Sequence, residues 1–553
     1  MSLKFIALSG TVGVTENLYV YEADGKMMII DCGVGFPDLE MPGVDLVIPD
    51  FSYVVKNKEK LVGIVISQGH EDHIGALPYL LREVNAPIWS TPLVTEFIKD
   101  KFIDYGVKNF TINTFNPEYE DFEVGPFRVF PFRVTHSVPD TVGFAIDTPE
   151  GRIFHVPEHK MDQNPVDGKP FDIERAKGLA NDEKHVLFLA SDCLGSNKLG
   201  FTEGETQIEG NMEGIMKKAE NAILATAISS NIGRFQQMMN VAQRLNRKVV
   251  LVGRSIQKKI EIAYKLGYIS FPANLVVSFG DAARMKRSEL MYIVAGCYGQ
   301  VGSSLYRISL GEHDRVHVND GDMMVFSADP APPYTKESED FVIDNLIDKG
   351  VDVHYYDLNE GLDEGIYASG HGGQGDIVEL FKIVNPKYFI PIGGTIRFMH
   401  SYKKLVVKNG NPPSSVLTLK PGENVIFENG QARLGDKIPV KAVLVHGLGV
   451  GDVGKVVLGD RAILGNEGVV VVVFKIRQGK IIDLPEIISR GFIFEKISKD
   501  LLDEAAKRLK NQIEKKVNIK KSVIYGVMMD YLGKFFFQKT GRRPMILPVV
   551  VEV

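Results

Sequence analysis

The stretch Ile64-Val65-Ile66-Ser67-Gln68-Gly69-His70-Glu71-Asp72-His73-Ile74-Gly75-Ala76-Leu77-Pro78-Tyr79-Leu80 constrains this chain more than any other. Its β-branched opening predicts a buried strand, and Leu77 and Leu80 predict the inner face of a following helix. Between them lies a polar loop with two histidines and a carboxylate. Side chains in a loop after a buried strand rest on a rigid base and stay open to a substrate. Imidazole and carboxylate together suit zinc or manganese. Taken alone, the same residues also describe a solvated polar turn, because short motifs give false matches.

At 553 residues the chain exceeds one ordinary domain, so two or three are expected. Hydrophobic residues at 44% and charged residues at 24% describe a soluble globular protein with ample core. Cys32, Cys193 and Cys297 are too widely spaced for a disulfide framework or a CxxC pair, which fits a reducing cytosol and a cytoplasmic protein. The first ten residues are too interrupted for a signal peptide, and no apolar run reaches membrane-spanning length. A net charge of −6 gives no global attraction to nucleic acid but leaves a local basic channel open.

Short strands are expected within residues 3–10 and 17–31, with Glu22-Ala23-Asp24-Gly25-Lys26 as a hairpin turn. Strands and helices then alternate to about residue 200, as in packed α/β layers. From about 205 to 375 the pattern becomes strand–helix–strand, with Ala222–Thr226 and Lys248–Gly253 as buried strands of a parallel sheet. This block reads as an insertion, because the first pattern resumes near 385–392. Gly447–Gly454, including Leu448, reads as a loop or domain entry, and Val469–Phe474 as a central strand. Residues 500–517 predict an amphipathic helix with Leu501, Leu502, Ala505, Leu509, Ile513 and Val517 on one face. Its other face carries Lys507, Arg508, Lys510, Lys515 and Lys516, either solvated or in contact with RNA.

The pattern His70-Glu71-Asp72-His73 resembles the signature loop of the metallo-β-lactamase superfamily, with Gln68 where its first histidine stands. Further stretches resemble the ribonuclease J family along the whole chain. They include Asp31-Cys32-Gly33, Thr135–Thr141, Asp162–Gly168, Val252–Ser255, Ser369-Gly370-His371, Pro485–Phe492 and Arg542–Pro548. The resemblance implies an α/β fold: a metallo-β-lactamase αββα sandwich with an inserted β-CASP α/β domain and a small C-terminal α/β domain. The expected limits are 1–204 and 376–436 for the sandwich, 205–375 for the insert, 437–454 for a linker and 455–553 for the C-terminal domain.

By resemblance the site holds two metal ions, zinc or manganese, that serve phosphodiester hydrolysis. One ion would take the positions of Gln68, His70 and His136, the other those of Asp72, His73 and Gly393, with Glu158 at the bridging position. Gln68 offers a weak amide oxygen, Gly393 offers no side chain, and Glu158 is one methylene longer than the family's aspartate. His159 and His400 are the available substitutes for a lost ligand. Asp192 matches an acidic motif at the active site, and His371 a histidine that assists the leaving group or the scissile phosphate. Ser230, Asn231 and Arg234, with Ser369, Gly370 and His371, match positions that meet RNA, and Arg234 suits bidentate phosphate binding. Gly233 stands where the family has a histidine and Thr395 where it has a glutamate.

Two functions follow. One is an RNA-processing exonuclease and endonuclease, with Gln68, Glu158 and Gly393 implying weak or absent turnover. The other is an inactive RNA-binding member, or a subunit of a hetero-oligomer with an active paralogue. A one-metal hydrolase of small molecules fits less well, because the inserted block forms the nucleic-acid channel in the family. The C-terminal domain implies a homodimer or homotetramer.

Overall fold

The computed structural model describes residues 2–552 other than 39, 182–184, 329–334, 358–361, 363, 448, 478–479, 495–497 and 515–520. The expectations at Leu448, Lys515, Lys516 and Val517 therefore lie outside the described residues. The chain forms two units, one of Met1–Phe36 with Val47–Val443 and one of Pro37–Leu46 with Leu444–Val553.

The first unit is built on two facing sheets. Among the described residues one has eight strands, with Ser2–Ala7, Tyr19–Ala23, Lys26–Ile30 and Leu61–Val65 at its middle. The other has six, in the order Tyr388–Ile392, Val186–Asp192, Gly151–Val156, Val142–Thr148, Phe127–Arg133 and Phe122–Val124. Strands with period-two apolar positions turn one face inward. Phe5, Tyr21, Met28 and Val65 thus meet Phe127, Phe144, Ile153 and Phe188 in one core. The second sheet's outer face, with Phe132, Phe154 and Leu189, packs against Leu380, Phe381 and Tyr402 of the helices Gln374–Val384 and Ile396–Lys408.

The insertion expected from the sequence has a clear place. Val186–Asp192 and Tyr388–Ile392 are adjacent parallel strands, paired from Phe188 with Tyr388 to Asp192 with Ile392. The chain between them builds a parallel sheet in the order Lys248–Val252, Leu290–Val294, Ile223–Thr226, Met323–Phe326 and Asp352–His354. Leu290–Val294 is buried at every residue, as a strand covered on both faces by helices must be.

In the second unit, Val469–Arg477 pairs antiparallel with Glu486–Arg490 and parallel with Met545–Glu552. Val470, Val472 and Phe474 meet Leu502, Leu509, Leu532 and Phe536 of the helices Lys499–Glu514 and Lys521–Thr540. The basic side chains of the first helix are partly neutralised within it, since Arg508 Nη2 lies 2.8 Å from Glu504. Residues 37–46, which the sequence leaves in the N-terminal block, belong here: Asp45 N donates to Val445 O at 2.9 Å and Arg461 Nη1 to Pro42 O at 2.9 Å. No helix of the described residues is long and apolar enough to cross a membrane.

Candidate metal centre

Gln68, His136, Glu158, Asp192 and Gly393 lie at or just beyond the carboxyl ends of strands of the two sheets, where α/β proteins gather ligand-binding loops. The signature loop is gripped from below by Asp31-Cys32-Gly33. Cys32 N donates to His73 O at 2.8 Å and Val34 N to Glu71 O at 3.0 Å. A Cβ at Gly33 would stand 1.5 Å from the Asp72 carbonyl oxygen, so only glycine permits this approach.

Two groups of three donors converge: His70, His136 and Glu158, then Asp72, His73 and Glu158, with the ligand atoms of each group within 4.8 Å of one another. Glu158 belongs to both. Its Oε2 lies 2.9 Å from His136 Nε2 and its Oε1 3.2 Å from His73 Nε2. The extra methylene at this position therefore leaves the carboxylate between the two groups. Three protein donors on each side match the ligand number of catalytic zinc sites, so the donor set fits divalent cations.

Outer contacts fix the rings. His73 Nδ1 sits 2.8 Å from Asp31 Oδ2, a fully buried carboxylate that also accepts from Ser67 N and Oγ. His136 Nδ1 faces Gly370 O at 2.8 Å, which directs its Nε2 toward Glu158. Burial alone would lower the His73 pKa, but the carboxylates of Asp72, Asp31 and Glu158 outweigh it and hold it well above the usual range. Burial would likewise raise Glu158, and His73 and His136 instead hold it well below. His70 is pushed well down by burial and by the neighbouring His136.

Two side-chain amides also aim N–H groups at these donors. Gln68, fully buried, donates through Nε2 to Glu158 and accepts from His70 N at 3.2 Å. Its amide is thus a brace for the shared carboxylate. Asn17 Nδ2 lies 3.1 Å from both Asp72 Oδ2 and His73 Nε2. Asp31 and Asn17 touch the candidate donors, and the sequence alone did not mark them as site residues. The polar Asp31 ending an apolar strand was the available signal for one, and nothing local marked the other.

Beside the first group, His371 Nδ1 lies 2.7 Å from Asp192 Oδ2, and its ring is 5.3 Å from that of His136. Gly370 matters through its size, because a Cβ there would lie 2.6 Å from His136 Cε1. Ser369 Oγ accepts from His371 N at 3.1 Å. The proposed substitutes for the lost ligands do not join either group. His159 is buried with its ring toward Phe171, and His400 is exposed on the helix Ile396–Lys408.

The fold engages Arg234 internally, where the sequence alone offered it to phosphate. Its guanidinium, 1% exposed, donates to Glu205 Oε2 at 2.6 Å, Ser327 Oγ at 2.7 Å and Ile366 O at 2.9 Å. A phosphate would have to displace an internal carboxylate to reach this guanidinium. Asn231 Oδ1 is engaged as the cap of the helix Ile232–Arg244, accepting from Arg234 N at 2.9 Å, and Ser230 is buried.

Glu16, next to Asn17, has φ +62° and a carboxyl pushed up by burial to about 7. The folded value exceeds the unfolded one, so the folded state keeps a proton that the unfolded state loses. Stability therefore falls as pH rises between about 4.5 and 7. Glu16→Gln is expected to leave Tm unchanged at pH 4 and to raise it at pH 8, by at most about 3 kcal/mol of stability. Thermal unfolding at the two pH values checks this.

A sandwich of two sheets with paired donor groups on a His-x-Asp-His loop defines a metallo-β-lactamase-type protein. Residues 28–172 match the model of the beta-lactamase superfamily domain, 220–346 the ribonuclease J beta-CASP domain and 456–553 the ribonuclease J C-terminal domain. The chain is 31% identical to Ribonuclease J2 of Bacillus subtilis (strain 168), over all of its own length and 99% of that protein. It is 32% identical to Ribonuclease J 2 of Staphylococcus aureus (strain MRSA252), over all of its own length and 98% of that protein. The chain belongs to the ribonuclease J family. A crystal structure of a protein of unknown function from Enterococcus faecalis shares the fold over 78% of this chain and 99% of its own, with a TM-score of 0.52 and 13% identity.

Proposed function

We propose that this chain is an RNA-processing ribonuclease of weakened turnover, with zinc or manganese held by His70, His136 and Glu158 and by Asp72, His73 and Glu158. The observation that supports it is Glu158, one carboxylate within reach of a histidine from each group. Bound cations of this kind activate water and neutralise charge on a phosphate. The protein's own part is orientation. Asp31 and the Gly370 carbonyl set the ring tautomers, and Asp192 holds His371 where its imidazole can protonate a leaving oxygen. We further propose an insert spanning 205–375, a cytoplasmic setting and a homodimer or homotetramer formed through the C-terminal domain.

A second reading, an RNA-binding subunit without turnover that partners an active paralogue, is favoured by the amides of Gln68 and Asn17 and by the missing donor at Gly393. Elemental analysis of protein purified without chelator or histidine tag, followed by an assay on 5′-monophosphorylated RNA, separates the two. Near two ions per chain with cleavage supports the hydrolase, and protein without ions supports the subunit. Gln68→His with Gly393→His is then expected to raise cation content and cleavage. A Cβ at Gly393 would lie 3.6 Å from Asp192 Oδ1, so there is room. The φ of +67° makes the new side chain cost about 1–2 kcal/mol in backbone strain.

A further inference from the structure

Two acidic side chains leave the ligand-bearing loops and point into the inserted domain. Glu71 stands between His70 and Asp72. It accepts from Lys101 Nζ at 2.6 Å, on the helix Pro92–Tyr105, and lies 3.7 Å from Lys259 Nζ, on the helix Arg254–Leu266. Asp140 closes the segment that begins with His136. Its Oδ2 accepts the Tyr268 hydroxyl, and its Oδ1 lies 3.3 Å from Arg133 Nη1. Lys259 and Tyr268 come from one piece of the insert, since Tyr268 directly follows the left-handed Gly267 that ends the helix.

Each contact has a buried partner, although the Glu71 side chain itself is 39% exposed. Asp140 is 2% exposed and the Lys259 side chain 13%. The Lys259 ammonium sits 5.3 Å from the centre of the Phe97 ring, and that ring lies so close to the signature loop that a Cβ at Gly69 would stand 2.9 Å from it. One segment of the insert therefore bears on both loops that carry candidate ligands, each time through an acidic residue in the same loop. Arg254, at the start of the same helix, gives a contrast in burial: its side chain is 81% exposed, beside an Asp104 side chain that is 49% exposed.

We propose that Lys259 and Tyr268 are positioning residues for the candidate centre. Seating the insert holds the His70–His73 loop through Glu71 and the His136–Asp140 loop through Asp140. A movement of the insert, such as one that admits an RNA strand, loosens both loops together. The consequence for catalysis rests on the reading of these loops as ligand loops. The mechanical coupling does not, and it is measurable without metal or RNA.

The test is hydrogen exchange by mass spectrometry on the full chain, with Lys259→Met, Tyr268→Phe, Lys259→Arg and Arg254→Ala. Lys259→Met is expected to speed exchange about fivefold to tenfold in 69–75, and Tyr268→Phe by a similar factor in 135–142, as loss of one buried polar contact predicts. Lys259→Arg restores protection, and Arg254→Ala leaves both loops unchanged. Wild-type protection of both loops in the first two variants overturns the proposal. So does loss of protection confined to the insert, seen in Lys248–Val252, because the residues then serve only the insert's own stability.

Discussion

Glu158→Ala is expected to abolish cation binding by both donor groups at once. Each group has three protein donors, and Glu158 is the one they share. Its removal leaves His70 with His136 on one side and Asp72 with His73 on the other, two donors each, fewer than zinc sites use. Loss of groups that merely orient ligands lowers affinity about 10- to 100-fold, so loss of a ligand common to both groups should exceed that range. The same change removes one of the three carboxylates that raise the His73 pKa, leaving Asp72 and Asp31 in place. Titration with manganese or zinc followed by calorimetry reads the affinity, and Glu158→Asp, which restores the charge on a shorter arm, should recover most of it. A wild-type affinity in Glu158→Ala would show that the cations are held elsewhere.

Arg234→Met should cost about 3–5 kcal/mol, the usual consequence of removing one partner from a buried ion pair. Glu205 would keep Lys160 at 2.8 Å but lose the guanidinium at 2.6 Å, and Ser327 Oγ would lose its donor while still donating to the Ile366 carbonyl. Glu205 precedes the first strand of the parallel sheet and Ile366 follows its last, so both connections should weaken. Burial would raise the Glu205 pKa, but Arg234 and Lys160 hold it below its ordinary value. That stabilisation is present above the unfolded value and is lost as pH falls through the folded one. Urea denaturation at neutral pH should show the lowered stability, and the gap between variant and wild type should narrow in acid. Glu205→Gln added to Arg234→Met should restore part of the loss, because it removes the carboxylate left with one partner too few.

The sequence made the layers and most of the donors legible because those features are local. Alternating and continuous apolar runs specify strands such as Leu61–Val65 and Lys248–Val252 directly, and a His-x-Asp-His loop carries its chemistry in four residues. The internal partners of Arg234 were not legible, for the opposite reason. An arginine near a phosphate-type loop looks available until its partners are known, and Glu205, Ser327 and Ile366 are brought to it only by the fold. Asn17 and Lys259 were missed in the same way, since each acts on a loop far away in the chain. Residues 37–46 joined the second unit through contacts with Val445 and Arg461 that no local pattern announces.

The insertion between two neighbouring parallel strands has a consequence for how the protein is made. Tyr388–Ile392 can pair with Val186–Asp192 only after the ribosome has delivered the whole insert, and Ser2–Ala7 must wait longer still for Asn424–Glu428. Until then both sheets carry open edges, which invite pairing with other nascent chains. Closing so long a loop is slow unless the intervening chain has already become compact. An insert that folds as a unit during synthesis brings residues 192 and 388 near each other and turns a distant pairing into a nearly local one. Biogenesis should therefore proceed from the middle of the chain outward, with the two-sheet sandwich the last part of its unit to close.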